Sequence, residues 1–320
     1  MRLTFEQIKR ISFGAICAEE REDGIHFSKF THKQEEAFFA LSQTLGERAL
    51  TTTGIRLDFY TNSKNLAFEA TSGSKFEVYI DDLLCRQFDC EALRGEGKRA
   101  EMKLASPINP KRETVRVTLI FPSHSMGVLK YVELDDGATA EPHSFDRKLL
   151  FIGDSITQGW NSKYDSFSFA WRVTRFFNAE SVIQGVGGAY FHETTFERSD
   201  FEPDTVIVAL GTNDFGKYTT LDEMRAHVSA HLDLIAEGYA GKKIFAISPI
   251  WRDTHDKVIG TFDEVRALVI DEIAKHGLIH VDGYSLVPHA AEFMADLTLH
   301  PNDLGFSLYA ENLIAQMIKA

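Results

Sequence analysis

Apolar positions along the chain show two textures, and the change comes near residue 145. Before it, short strand-like runs dominate, at 54–60, 66–70, 75–80, 101–104, 114–121 and 127–133. Polar turn formers such as Thr71-Ser72-Gly73-Ser74 and Pro107-Ile108-Asn109-Pro110 separate them. Only residues 34–45 read as helix. Many short strands joined by polar turns predict an all-β sandwich or jelly roll over residues 1–145.

The small-residue stretch at 137–143 reads as a linker, and from 146 to 320 the texture alternates. Continuous apolar runs at 148–152, 181–183, 205–210, 243–248 and 278–281 read as buried parallel strands. Amphipathic stretches at 167–177, 221–237, 260–276 and 306–319 read as helices. Strand–helix alternation predicts an α/β domain, a doubly wound parallel sheet. Such sheets bind ligands beyond the carboxyl ends of their strands, which directs attention to those ends.

Composition narrows the partners. Hydrophobic residues at 44% and charged residues at 25% are ordinary for a globular chain and argue against disorder or coiled coil. A net charge of −13 repels phosphate backbones and anionic headgroups, so nucleic acid is not expected as a partner. The first twenty residues carry charges every few positions and lack the apolar core of a secretory signal. No apolar run is long enough for a membrane span. Cys17, Cys85 and Cys90 lack the spacing of a zinc pair and are expected as reduced thiols, which points to a cytoplasmic protein.

The first strand of the alternating half stops at Gly153-Asp154-Ser155-Ile156. A serine on a tight strand-to-helix turn projects its hydroxyl from the sheet edge, where following N–H groups point at it. Asp and Ser are equally at home capping a helix, so this segment alone leaves both readings open. The second strand leads into Gly185-Val186-Gly187-Gly188, whose glycines let backbone N–H groups approach a ligand. The spacing is not that of a dinucleotide fingerprint, and a Walker lysine is absent. The third strand ends in Gly211-Thr212-Asn213-Asp214, where Asn213 is either an amide donor into the crevice or a turn former. His300, in Leu299-His300-Pro301-Asn302-Asp303, is a general-base candidate on a stiff loop, or one surface histidine among twelve. His227 and His231 stand four apart on a predicted helix, but position 228 is Val and not the Glu of a zinc motif, so they are expected on a solvated face.

Taken together and in order, Gly153-Asp154-Ser155-Ile156, the glycines through Gly188, Gly211-Thr212-Asn213-Asp214 and His300-Pro301-Asn302-Asp303 resemble the SGNH (GDSL-type) hydrolases over about residues 145–320. The resemblance implies a flavodoxin-like fold, Ser155 as nucleophile and His300 as general base and acid. It further implies an oxyanion hole built from Gly188, Asn213 and the Ser155 N–H, with Gly188 preferred to Gly187. One departure stands out: the family usually has an Asp three residues before the histidine, and here that position is Leu297. Asp296, one step earlier, would orient His300 if the loop bulges by a residue. Otherwise a Ser/His dyad would operate with a backbone carbonyl holding the imidazole, as in the two-domain carbohydrate esterases of family two, which the β-then-α/β organisation also resembles.

The expected activity is hydrolysis of short acyl esters, acetyl foremost, on a carbohydrate or similar polar alcohol through an acyl-serine. Trp160 and Trp251 follow strand ends and are candidates for stacking on a sugar face. No large apolar insertion suggests a lid over a lipid. The competing expectations are a lysophospholipase or thioesterase acting on longer chains, and a non-enzymatic carbohydrate-binding protein. Activation of serine by histidine requires neither metal nor organic cofactor, and none is expected.

Overall fold

The structure is a computed structural model that describes residues 1–89 and 99–320, so Cys90 lies outside the described residues. By contact the chain divides into two compact units, Met1–Phe30 with Leu50–Phe145, and Thr31–Ala49 with Asp146–Ala320. Beyond the expected cut near 145, Thr31–Ala49 groups with the second unit. Gln34 explains the grouping: its buried side chain donates from Nε2 to Thr195 O at 3.1 Å.

The first unit holds two antiparallel sheets among the described residues. One runs Ser12–Phe13, Arg56–Thr61, Val115–Ile120, Lys75–Ile80, Leu83–Asp89, and the other Cys17–Arg21, Gly24–Ser28, Val128–Leu134, Asn65–Thr71, Ala100–Lys103. Their inner faces share one apolar core, in which Phe68 of the second sheet meets Phe76 and Phe88 of the first at 5.6 and 5.2 Å between ring centroids. The stretch 137–143 is not a free linker: Glu141–Pro142 pairs with Arg56–Thr61 and extends the first sheet. A helix at Phe5–Arg10 is also unforeseen, although Thr4 and Gln7 form a capping box around its start.

Elements of the second unit are numbered separately. Helices α1 (His32–Leu41) and α2 (Gln43–Ala49) come first. The rest follow as β1 (Arg147–Gly153), α3 (Ser155–Gln158), α4 (Phe169–Phe176), β2 (Ala179–Gly185), β3 (Thr205–Ala209), α5 (Asp214–Lys217), α6 (Leu221–Gly238), β4 (Lys243–Ile247), α7 (Phe262–Lys275), β5 (Ile279–Val281) and α8 (Asp303–Lys319). The strands are parallel in the order β2-β1-β3-β4-β5, the doubly wound sheet that the alternating pattern predicts, in the flavodoxin-like order that the resemblance implies. Leu149, Leu150, Phe151, Val206, Ile207 and Val208 are buried, as a sheet covered on both faces requires. The strand order reverses between β1 and β3, and the carboxyl ends of those two strands lead into Ser155 and Asn213. Among the described residues no helix is long and apolar enough to cross a membrane.

Candidate active site

Strand β1 passes into α3 with no room for a side chain at Gly153. A Cβ there would lie 2.0 Å from Thr157 Oγ1 and 2.9 Å from Ala209 O. The capping role open at this turn falls to Asp154, whose Oδ1 accepts the Ile156 N–H at 2.8 Å. Ser155, first residue of α3 and buried, is left for another partner, and its Oγ lies 2.9 Å from His300 Nε2.

The histidine loop resolves the displaced acid. Leu297 adopts φ +67°, the left-handed region, with its side chain in solvent. That conformation costs a side-chain-bearing residue about 1–2 kcal/mol. It turns the chain so that Asp296 Oδ1 accepts three N–H groups, from Thr298 at 3.0 Å, Leu299 at 2.8 Å and His300 at 3.1 Å. The other oxygen, Oδ2, lies 2.7 Å from His300 Nδ1. Burial pushes the Asp296 carboxyl up, but the Leu299 N–H, the His300 ring and the remaining N–H groups outweigh it and hold the group well below the usual carboxylate range. An ionised Asp296 accepts from Nδ1–H, which leaves Nε2 unprotonated and facing the serine hydroxyl.

The glycine and amide candidates lie on the loops after β2 and β3. The Gly187 N–H is already committed, donating to Gln158 Oε1 at 2.8 Å. Gly188 is at φ +87°, and a Cβ there would crowd Arg48 Nη1 at 3.1 Å. Asn213 stands at the N-cap of α5 without its side chain capping that helix. Instead Nδ2 donates to Ala189 O at 2.9 Å, which fixes the amide plane and leaves its second N–H. Gly188 and Asn213 line one cleft of about 380 Å³, together with Arg48, Lys217, Arg252 and Lys257. Trp160 sits between cleft and histidine: its ring centroid is 6.4 Å from that of His300, and Arg48 Cζ lies 5.8 Å over it. Trp251 stacks on His289 at 5.9 Å and is not among the cleft's lining, while its neighbour Arg252 is.

Two buried carboxyls support these turns from below. Burial pushes Asp154 up to about 7 and Asp214 up to about 8. Asp214 Oδ1 accepts the Phe191 N–H at 3.1 Å, and its Oδ2 is buried without a partner. A carboxyl raised in the folded state stabilises fully below its unfolded value, here 3.8, and that contribution is lost as pH climbs towards 8. Each such group lowers the unfolding free energy by up to about 1.4 kcal/mol per pH unit in that window. Asp214→Asn keeps the acceptor for Phe191 and cannot ionise. Relative to wild type it is expected to gain on the order of 2 kcal/mol between pH 5 and 7 in urea unfolding; parallel pH curves for the two proteins would contradict this.

His227 and His231 do not occupy a solvated face. His231 is buried against the His192 carbonyl at 2.9 Å, and burial pulls it down to about 4. His227 Nδ1 lies 2.7 Å from Glu193 Oε2 and its ring stacks on His192 at 4.6 Å. Donor atoms of His192, Glu193 and His227 lie within 4.8 Å of one another, close enough to share an ion. Each already has a protein partner, since Thr194 Oγ1 meets His192 Nδ1 at 2.8 Å. The cationic residues of the cleft escape sequence reading because they come from α2, α5 and the loops after β4, with no motif to mark them.

A serine hydroxyl on an imidazole held by a carboxylate, at the switch point of a doubly wound sheet, is a geometry that serine hydrolases share. Residues 151–308 match the GDSL-like lipase/acylhydrolase family, a family of ester hydrolases. No curated protein gives a significant sequence match. Among solved structures the chain is similar to the salicylyl-acyltransferase SsfX3 of a tetracycline biosynthetic pathway, at TM-score 0.81 and 20% identity over 96% of this chain and 94% of that one. It is similar to a family two carbohydrate esterase from Cellvibrio japonicus, at TM-score 0.70 and 15% identity over 98% and 96%. A family two carbohydrate esterase from Clostridium thermocellum, solved with cellohexaose, matches at TM-score 0.64 and 16% identity over 84% and 93%. Identities this low establish a common fold, including the β unit before the α/β unit.

Proposed function

We propose that the protein hydrolyses short-chain acyl esters, acetyl foremost, of a polar alcohol such as a carbohydrate, through an acyl-serine on Ser155. The observation that carries this reading is the relay from Ser155 Oγ to His300 Nε2 at 2.9 Å and from His300 Nδ1 to Asp296 Oδ2 at 2.7 Å. In the first step His300 takes the hydroxyl proton as Oγ bonds to the ester carbonyl carbon, then delivers it to the departing alkoxide. Water repeats the sequence in reverse, releasing the acid and restoring the hydroxyl. Charge on the carbonyl oxygen is met by N–H groups of Gly188 and Ser155 and by the second N–H of Asn213. Trp160, set beside His300, supplies an apolar face at the mouth of the site.

The β-before-α/β fold shared with carbohydrate esterases supports a sugar ester, and jelly-roll topology for the first unit is part of this reading. Labelling by an aryl phosphonate located at Ser155, with turnover of p-nitrophenyl acetate well above that of the octanoate, is the expected result. Preference for octanoate would favour a lysophospholipase or thioesterase, and sugar binding without labelling would favour a lectin-like protein. Asn213→Ala removes one oxyanion donor and is expected to lower kcat by about 10²–10³-fold with KM little changed. A loss confined to KM would remove Asn213 from this role.

A further inference from the structure

We propose that the ester cleaved here is anionic, with a carboxylate or phosphate held in the cleft beside Gly188 and Asn213 by Lys217, Lys257, Arg252 and Arg48. The inference rests on the reading of Ser155 as nucleophile and names the substrate class of that site. Four cations line this cleft and, among the described residues, no carboxylate does, in a chain with 47 acidic and 34 basic side chains. A basic patch on a protein surface is usually neutralised by neighbouring acids. Here Lys217 Nζ lies 4.7 Å over the Tyr190 ring and Lys257 Nζ 4.8 Å over Phe215, and among the described residues neither forms an ion pair. Arg252 spends one nitrogen, Nη1, on Thr212 O and Oγ1 at 3.0 and 3.2 Å, while its Nε is buried without a partner.

Two acids exert a field on Arg252, Asp154 and Asp296. Asp154 is committed to the Ile156 N–H and Asp296 to His300, so neither fills the cleft. Lys257 is solvent-exposed, yet partial burial and the neighbouring Arg252 both pull its ammonium down, so two like charges face one cleft whose lining holds no carboxylate. A bound anion would relieve that repulsion and gain charge-assisted hydrogen bonds at once. The cleft also adjoins the reacting groups. Arg48 Nη1 donates to Gly187 O at 2.8 Å, beside the glycine proposed to hold the carbonyl oxygen, and Trp160 bridges Arg48 to His300.

Two pairs of esters test this and separate the two sides of the scissile bond. The acyl pair is p-nitrophenyl hydrogen succinate against p-nitrophenyl pentanoate, and the alcohol pair is 4-acetoxybenzoate against its methyl ester. At low salt the anionic member of at least one pair is expected to have about tenfold higher kcat/KM, chiefly through KM, and the advantage should shrink as sodium chloride is added. The double variant Lys217→Gln/Lys257→Gln should cut that ratio at least fivefold, with phosphonate labelling of Ser155 reporting that its site is still assembled. Equal or lower kcat/KM for both anionic members, or a ratio the variant does not alter, overturns the anionic inference while leaving the esterase reading in place. No turnover of any of the four together with no labelling overturns both.

Discussion

Ser155→Ala is expected to lower kcat for p-nitrophenyl acetate by about a millionfold, to the level that binding and oxyanion contacts alone provide. The substitution deletes the only atom that forms the acyl bond in the proposed mechanism, and His300 Nε2 then has no hydroxyl at 2.9 Å to deprotonate. Structure around the site should survive. Gly153 sets the turn, Asp154 caps α3, and neither contact involves the serine oxygen. The lost hydrogen bond is worth about 1 kcal/mol, so the thermal midpoint should move by only a few degrees. Active-site titration, in which one burst of nitrophenolate per wild-type chain disappears in the variant, separates loss of the nucleophile from loss of protein. Full turnover in rigorously purified Ser155→Ala would remove the serine mechanism altogether.

Much of this arrangement is legible in the sequence because the chemistry sits at strand ends. A run such as Leu149-Leu150-Phe151-Ile152 marks a buried strand by composition alone, and the Gly-Asp-Ser after it marks the place where the chain must turn. The parallel sheet follows from that logic, and the hydrogen bond between Ser155 and His300 lies where the resemblance leads one to look. Elements of the first unit are less legible. Cys17–Arg21 and Gly24–Ser28 pair as a hairpin in which only Ile25 and Phe27 are buried, so no apolar run announces them. The helix at Phe5–Arg10 spans six residues and buries only Ile8, too short for a periodic signal, although its capping box is written in Thr4 and Gln7.

The remaining illegible features are tertiary. Helices α1 and α2 lie about a hundred residues before β1, and nothing local ties Arg48 to the glycine loop that it contacts at Gly187. His231 illustrates the converse. Its four-residue spacing from His227 is visible, yet whether that helix face meets water depends on Phe191 and Phe196, whose rings approach His231 at 5.7 and 6.2 Å. The displaced acid is an intermediate case. A leucine in the left-handed region is not a conformation that residue type advertises, so the bulge is visible only through the three N–H groups that repay its strain.

Asp296→Asn distinguishes a carboxylate-held imidazole from a dyad, and the expected loss in kcat is about 10⁴-fold. The reason lies in the orientation that the loop imposes on the new amide. Position Oδ1 faces three N–H donors, so the amide oxygen must take that place and its NH₂ must take the place of Oδ2, 2.7 Å from His300 Nδ1. A donor there forces Nδ1 to accept, which moves the ring proton to Nε2, the atom that has to receive the serine proton. The wrong tautomer therefore blocks the first step while every backbone contact of the loop is preserved. Stability should consequently stay near wild type and KM should change little. Asp296→Ala, by contrast, strips all three N–H partners from a loop already strained at Leu297, and is expected to cost about 1–3 kcal/mol of stability in addition to activity. Nitrogen chemical shifts of the His300 ring would report the tautomer directly. A kcat for Asp296→Asn within about threefold of wild type would show that the carboxylate does not orient the imidazole.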